Sequence, residues 1–337
     1  MSKMTKGTLA FRVIICVLLA LVALWSAFIG LGFIAYARVM VLSDNYGVWV
    51  AGVEVTRENK NDILGDGTVS YNASANALIF ENSTIETNGS VIESNRDLRI
   101  WLAGQNKFIC SGGDYLPAIY ASNSNINMDL SFEGDGSLEL VISDVTSYAQ
   151  GIIGDDITIQ TDITVTTPNC QVVANGIVCT ASLILYEGAS VTVNNGAAEY
   201  SSAVRVIGNA IIDDRATLAI TSAGGSEICK GLSVNGDLIL EAESRLDVSV
   251  DDESCDVGEC VRVTGLLELG KDSVLNASAK ETSAVECYGS IKLNKGASLS
   301  GVNESDAADV LCYGAFVDHG AAVSGDVEVL GGANTKD

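Results

Sequence analysis

Hydrophobic and polar positions alternate along this chain in short runs, in which two inward apolar positions flank one outward residue. The first run of each repeat starts at an apolar anchor, and neighbouring anchors lie 25 to 33 residues apart. The anchors are Ile92, Ile119, Ile152, Ile177, Val204, Leu232, Val261, Cys287 and Cys312. This period is typical of a solenoid, because each unit must stack on its neighbours to bury its apolar face.

Each repeat holds two further strand-like runs, such as Leu183-Ile184-Leu185 and Val191-Thr192-Val193, with Gly, Asn or Asp turns between them. Three short strands of period two per repeat predict an all-β fold, a parallel β-helix of about nine to eleven coils. Beyond residue 37 no stretch keeps an apolar period of 3.6 residues, which disfavours solenoids that contain helices. Residues 38–67 are predicted to form a connector and cap, and residues 68–337 the β-helix.

One segment departs from this pattern, because residues 13–37 contain 25 residues without a charge. That length suffices to span a bilayer as a helix, and the basic residues before it favour a cytoplasmic location for residues 1–12. The sequence therefore predicts a transmembrane signal anchor in a single-pass protein of the cell membrane, with residues 38–337 extracellular. The alternative is a signal peptide cleaved after the triplet Ala35-Tyr36-Ala37, which would export the same domain.

The net charge of the chain limits the classes of partner that it can bind. The chain carries 43 acidic and 19 basic residues, and four of the basic ones lie in the first 38 residues. A surface this acidic repels nucleic acid, and the predicted contact with lipid is confined to residues 13–37. Such a surface is able to bind Ca²⁺, but no motif supports a calcium site. We predict no cofactor and no metal site.

Eight cysteines follow the membrane segment, and their even number leaves a disulfide framework open. Cys287 and Cys312 replace apolar anchors, however, and Cys179 lies two residues after one. A free cysteine behaves as a small hydrophobic side chain, so buried thiols explain these positions equally well.

The outward column between the inward positions is the predicted binding surface. An aromatic face with nearby arginine donors offers a sugar ring both apolar contact and directional hydrogen bonds. Matching Cys-Tyr-Gly triplets lie on adjacent coils, so the rings of Tyr288 and Tyr313 are predicted to stack. The alternative is that this column is an ordinary exposed ladder on one face of the β-helix, without a binding role. The candidate ligand-binding residues are Tyr120, Arg205, Arg262, Tyr288 and Tyr313.

Catalysis is not predicted. Paired acids occur at Asp155-Asp156 and Asp213-Asp214 and in Asp251-Asp252-Glu253, and a carboxylate pair could serve a β-helical glycoside hydrolase or polysaccharide lyase. Neighbouring residues on a strand point to opposite faces, however, so these acids fit turn caps better. The only histidine, His319, falls in the last coil.

Residues 53–56 (Val-Glu-Val-Thr), 64–72 (Leu-Gly-Asp-Gly-Thr-Val-Ser-Tyr-Asn) and 76–85 carry a family resemblance, continued by Ala118–Ala121 and Gly134–Leu138. Over residues 48–142 the chain resembles exported β-helical surface proteins of gut-type Gram-positive bacteria that are described as carbohydrate-binding. The resemblance implies a right-handed β-helix, a surface location and glycan binding, but no ligand residues. The expected function is a non-catalytic binding or adhesion module for a glycan or another surface protein. The alternatives are a structural rod and a polysaccharide-degrading enzyme.

Overall fold

A computed structural model describes residues 45–124, 126–331 and 334–336 of the chain. These residues form strands and turns without any helix, so the prediction of an all-β fold is confirmed. The strands assemble into three long sheets, named sheets 1, 2 and 3. The predicted membrane segment, residues 13–37, lies outside the described residues. Within them no helix is long and apolar enough to cross a bilayer.

Sheet 1 is the widest. Its strands are β1 (Asn45–Val50), β2 (Val53–Thr56), β6 (Ile92–Ser94), β9 (Tyr115–Asn123), β10 (Ile126–Asn127), β13 (Tyr148–Gly154), β16 (Val173–Cys179), β19 (Ala198–Val206), β22 (Gly225–Val234), β25 (Val257–Val263), β28 (Val285–Cys287), β31 (Val310–Cys312) and β34 (Val327–Val329).

Sheet 2 contains the middle strand of each repeat. Its strands are β3 (Val69–Asn72), β4 (Ala77–Glu81), β7 (Leu98–Ala103), β11 (Leu130–Gly134), β14 (Ile157–Ile159), β17 (Leu183–Leu185), β20 (Ala210–Ile212), β23 (Leu238–Leu240), β26 (Leu267–Leu269), β29 (Ile291–Leu293), β32 (Phe316–Asp318) and β35 (Asn334–Lys336).

Sheet 3 contains the third strand of each repeat. Its strands are β5 (Thr84–Thr87), β8 (Gln105–Ser111), β12 (Ser137–Ser143), β15 (Asp162–Thr166), β18 (Ser190–Asn195), β21 (Thr217–Ser222), β24 (Arg245–Val250), β27 (Val274–Ser278), β30 (Ser298–Val302) and β33 (Ala322–Ser324).

The coils stack in parallel. From β6 to β33 each repeat gives one main strand to each sheet, which makes about nine coils. The anchors are ladder partners, as Ile92 with Ile119 and Ile152 with Ile177 show. The predicted parallel β-solenoid is therefore confirmed, and its anchors up to Val261 are in the predicted register.

The N-terminal end differs from the repeats. Strand β1 pairs with β6 in the antiparallel direction, with Val48 opposite Ser94. Strand β3 likewise runs antiparallel to β4, with Val69 opposite Phe80. Sheets 1 and 2 thus each contain one antiparallel pairing near the N-terminal end, and in sheet 1 strand β2 lies outside β1 at the edge.

The core is a column of stacked aliphatic side chains with aromatic rings at its N-terminal part. The Phe80 and Phe108 rings lie 4.9 Å apart at 58°, a tilted arrangement that suits the ring quadrupoles. Alternation within each short strand places the apolar residues inside, as in Leu238 and Leu240 on either side of the half-buried Ile239. Burial of this continuous column stabilises the coils against each other.

Carboxylates and amides hold the corner between sheets 1 and 2. Asp97 Oδ1 accepts a hydrogen bond from the backbone N–H of Asp129 at 3.1 Å, and Asp129 Oδ1 accepts one from Asp156 at 3.1 Å. Asp156 then accepts from the N–H of Ser182 at 2.8 Å. Side chains at this corner therefore cap the backbone of the next coil, and they account for part of the acidic charge.

The described cysteines occur both in a disulfide and as free thiols. Cys229, buried in β22, forms a disulfide with Cys255 in the turn before β25, which links neighbouring coils. Six further cysteines among the described residues are thiols. Burial raises the pKa of Cys110, Cys179, Cys260 and Cys287 to about 12, so these thiols stay protonated and pack as apolar groups.

Candidate binding surface

Six strands of sheet 1 bend in the middle. In β9, β13, β16, β19, β22 and β25 one residue lacks a ladder partner, and both it and the anchor after it are buried. A straight strand would send one of two neighbours outward, so the backbone must turn at this point. The bend residues are Ala118, Gly151, Gly176, Ala203, Gly231 and Cys260.

Small residues are required at the bend because their side chains point into the crowded interior. A Cβ added to Gly176 would lie 2.3 Å from Val193 Cγ1 and 2.6 Å from the carbonyl oxygen of Ala203. Other coils have alanine at the bend, as Ala118 and Ala203 show, so a methyl group fits where the surrounding side chains leave room for it.

We expect Gly176→Ala to lower the free energy of unfolding by about 1 kcal/mol, since the added methyl overpacks this site. The matched control is Gly89→Ala, because a Cβ at Gly89 would meet nothing within 4 Å. Urea unfolding of both variants checks this, and the control should be neutral or slightly stabilised through its less flexible unfolded chain. Equal stability of the two variants would contradict the packing argument.

The bend is concave on the outer surface. Glu259 and Arg262 lie on opposite sides of it, yet Glu259 Oε1 and Arg262 Nε are 3.4 Å apart. Ser202 and Ser233 point away from the core but are only 8% and 5% exposed. Outward side chains that converge in this way define a groove, which we call the bend groove.

Two columns line the bend groove. The first-leg column is Pro117, Gln150, Asn175, Ser202, Lys230 and Glu259. The second-leg column is Tyr120, Ile153, Val178, Arg205, Ser233 and Arg262. Since parallel strands are about 4.8 Å apart, the groove runs for about 24 Å along the solenoid axis.

Three of the predicted ligand-binding residues lie in the second-leg column. Tyr120 donates its hydroxyl to Glu93 Oε2 at 2.7 Å, and burial together with this hydrogen bond raises its pKa. The side chain of Arg205 is exposed and makes no hydrogen bond or ion pair within the described part of the chain. Arg262 Cζ lies 4.9 Å from the centre of the Tyr288 ring. Whether these residues bind a ligand stays a prediction.

The other two residues are not in that column, and this part of the prediction was wrong. Ladder register pairs Arg262 with Glu286 and Glu286 with Leu311. Cys287 is the partner of Val263, two residues after the anchor. Val261, Val285 and Val310 are the ladder partners, so the repeat between Val261 and Val285 is two residues shorter than the predicted anchors Val261 and Cys287 imply. Tyr288 and Tyr313 therefore follow their strands.

The predicted stacking of these tyrosines is confirmed. Their ring centres are 4.7 Å apart and their planes differ by 3°. The guanidinium of Arg262 comes from the preceding coil and Tyr313 from the following one, so both faces of Tyr288 are covered. The two rings are 42% and 37% exposed. A sugar ring would therefore pack against the exposed parts of these two side chains.

Glu286 lies beside this stack, which we call the tyrosine stack (Arg262, Tyr288 and Tyr313). Tyr313 donates its hydroxyl to Glu286 Oε1 at 3.3 Å. Burial, followed by the charge of Glu286, raises the pKa of both tyrosines, so the phenols stay neutral at neutral pH. The site thus combines an apolar ring face, a cation and a carboxylate acceptor.

A further column of exposed or half-buried side chains was missed by sequence reasoning. It lies four residues before each anchor, at the start of the first leg of the bent strands. Its members are Tyr115, Tyr148, Val173, Tyr200, Ile228 and Val257. Tyr115 is 61% exposed, and its ring centre lies 5.9 Å from that of Tyr148. We call this column the tyrosine stripe, and its regular offset from the anchors was the available signal.

The paired acids serve the turns, as the sequence favoured. Asp155 accepts a hydrogen bond from the Thr180 hydroxyl at 2.7 Å, and Asp214 accepts one from the N–H of Ala242 at 2.9 Å. In the described ranges no group of three or more Asp, Glu, His or Cys side chains is placed to hold a metal ion. Comparison of the chain with protein-family models, curated proteins and solved structures gave no match.

Proposed function

We propose that the protein is a non-catalytic carbohydrate-binding module displayed outside the cell. The observation that carries the proposal is the tyrosine stack with Glu286 beside it. An aromatic face packs against the C–H groups of a sugar, while a guanidinium and a carboxylate reach its hydroxyl groups. Tyr120, Arg205 and Arg262 in the bend groove extend the same surface.

The proposal includes the setting of the domain. Residues 13–37 would anchor the chain in the cell membrane, since their apolar length matches a bilayer. The disulfide between Cys229 and Cys255 supports an extracellular domain, because disulfides persist in oxidising compartments. The solenoid is proposed to be right-handed, in line with the strong preference of parallel crossover connections.

The test is binding of the full chain, purified in a mild detergent, to an array of neutral and acidic glycans with and without Ca²⁺. We expect the double variant Tyr288→Ala/Tyr313→Ala to weaken the leading hit about tenfold, because two aromatic contacts are lost. Tyr313→Ala alone should have a smaller effect, since it exposes a face of the Tyr288 ring.

Tyr186→Ala is the matched control. Tyr186 is 40% exposed but follows β17, at a different corner of the solenoid. Its removal should leave binding unchanged. Equal affinity of the double variant and the parent chain would remove the tyrosine stack from the binding site. Silence of the folded parent chain across the array would instead favour the structural rod.

A further inference from the structure

The bend groove carries an excess of positive charge in an acidic protein. The chain has a net charge of −24, yet Arg205, Lys230 and Arg262 line the groove beside one acid, Glu259, while Glu93 and Glu286 adjoin the two ends of the second-leg column. Glu259 is shared, since its carboxylate oxygens lie 2.7 Å from Lys230 Nζ and 3.4 Å from Arg262 Nε. The side chain of Arg205 makes no hydrogen bond or ion pair with the described residues. Its planar guanidinium therefore remains available for a carboxylate.

The floor also contains polar atoms without a partner. Gln150 Oε1 and Ser202 Oγ are buried and make no hydrogen bond in the described part of the molecule. A buried polar atom left unpaired costs free energy, so such atoms call for an explanation. A ligand rich in hydroxyl groups would supply partners after rotation of these side chains.

The geometry repeats once per coil. Side chains of the groove and of the tyrosine stripe recur at the strand spacing of about 4.8 Å, close to the length of one sugar unit in an extended chain. Tyr115, Tyr148 and Tyr200 lie along one rim, with exposed fractions of 61%, 38% and 40%. A linear chain parallel to the axis would therefore meet one outward side chain of each column per unit, with the cations on the coils of β19, β22 and β25.

We propose that the bend groove is an extended site for a linear acidic polysaccharide, whose carboxylates contact Arg205 and Lys230 and whose rings pass along the tyrosine stripe. This inference rests on the proposed carbohydrate-binding function and names its ligand class. Glu199 and Glu227 raise the pKa of Tyr200, so acids also stand beside the rim. An acidic ligand consequently gains affinity only where its carboxylates reach the floor, which makes Arg205 the decisive side chain.

The experiment uses a hexasaccharide of alternating glucuronate and N-acetylglucosamine, and the same oligomer with its carboxyl groups reduced to alcohols. Affinities of the full chain for both are measured by calorimetry at low and at moderate salt. We expect the acidic oligomer to bind more tightly, and Arg205→Ala to weaken it about fivefold to tenfold without affecting the reduced oligomer. Added salt should diminish the preference.

Arg57→Ala is the matched control, because it removes the same charge from an exposed turn after β2. Equal affinities of both oligomers, or an Arg205→Ala variant that binds like the parent chain, would overturn the inference while leaving the tyrosine stack untouched. If Tyr288→Ala/Tyr313→Ala loses binding and Arg205→Ala does not, the result supports the proposed carbohydrate-binding function and contradicts the acidic-ligand site in the bend groove. A single-stranded oligonucleotide that binds as well as the acidic hexasaccharide would also overturn it, since the ligand class would then be any polyanion.

Discussion

Opening the disulfide is expected to lower the free energy of unfolding by about 3–4 kcal/mol, because a bridge between residues 26 apart restricts the unfolded chain. Cys255→Ala is the cleanest variant, since it leaves Cys229 as one more buried thiol. The Cα atoms of the pair are 6.1 Å apart, within the ordinary range for a bridge. Urea unfolding of oxidised and reduced protein provides the measurement.

Reduction itself gives the control. Dithiothreitol should lower the unfolding midpoint of the parent chain to that of Cys255→Ala, and it should not affect Cys255→Ala further. Cys170→Ala, which removes a half-buried thiol, should retain the response to dithiothreitol. A parent chain whose midpoint is unchanged by full reduction would contradict a stabilising bridge.

Asp252→Asn is expected to cost about 2–3 kcal/mol of unfolding free energy at pH 7, since a buried carboxylate would lose charge-assisted hydrogen bonds. Asp252 is 1% exposed. Its oxygens accept from the N–H groups of Lys280, Glu281 and Thr282 and from the Thr282 hydroxyl at 2.7, 3.0, 3.1 and 2.6 Å. In asparagine an NH₂ group replaces one of these acceptor oxygens, so its hydrogens would face the N–H and O–H donors of residues 280–282.

The effect depends on pH in a defined direction. Burial opposes ionisation of Asp252, but the hydrogen bonds from Thr282, Glu281 and Lys280 outweigh it and lower the pKa of this carboxyl below its usual value. A lowered folded-state pKa stabilises the protein above the unfolded value of about 3.9, and this stabilisation is lost as the pH falls through the folded pKa. The gap between parent and Asp252→Asn should therefore be full at pH 7 and shrink below about pH 4.

Asp256→Asn serves as the comparison, because Asp256 is exposed and lies in the same turn region. It should unfold like the parent chain at both pH values. A constant gap between parent and Asp252→Asn from pH 7 to pH 3 would show that the cost comes from altered packing and not from the carboxylate charge.

The repeat could be predicted from sequence because inward anchors recur once per coil. Where the prediction went wrong, at Cys287 and Cys312, the error was two residues. A shift of two keeps every side chain on its face, so both cysteines are buried as expected although their ladder partners differ. Alternation alone thus identifies the face, whereas the register also depends on the length of the preceding turn.

The candidate site was predictable only in part. Stacking of Tyr288 and Tyr313 followed from identical triplets one coil apart. The bend groove did not follow, because Gly151-Ile152 and Gly231-Leu232 can be read as continuous apolar runs on a straight strand. The disulfide was equally hidden, since eight cysteines allow 105 complete pairings and only the folded chain brings Cys229 near Cys255.

The reversed strands at the N-terminal end have a consequence for self-association. Identical parallel coils could in principle add to one another from molecule to molecule and grow into a filament. At this end, however, β1 and β3 run against the direction of the coils. Strand β3 is the edge strand of sheet 2 at this end, so an incoming coil would face a reversed neighbour in that sheet, and strand polarity disfavours repeated head-to-tail growth there.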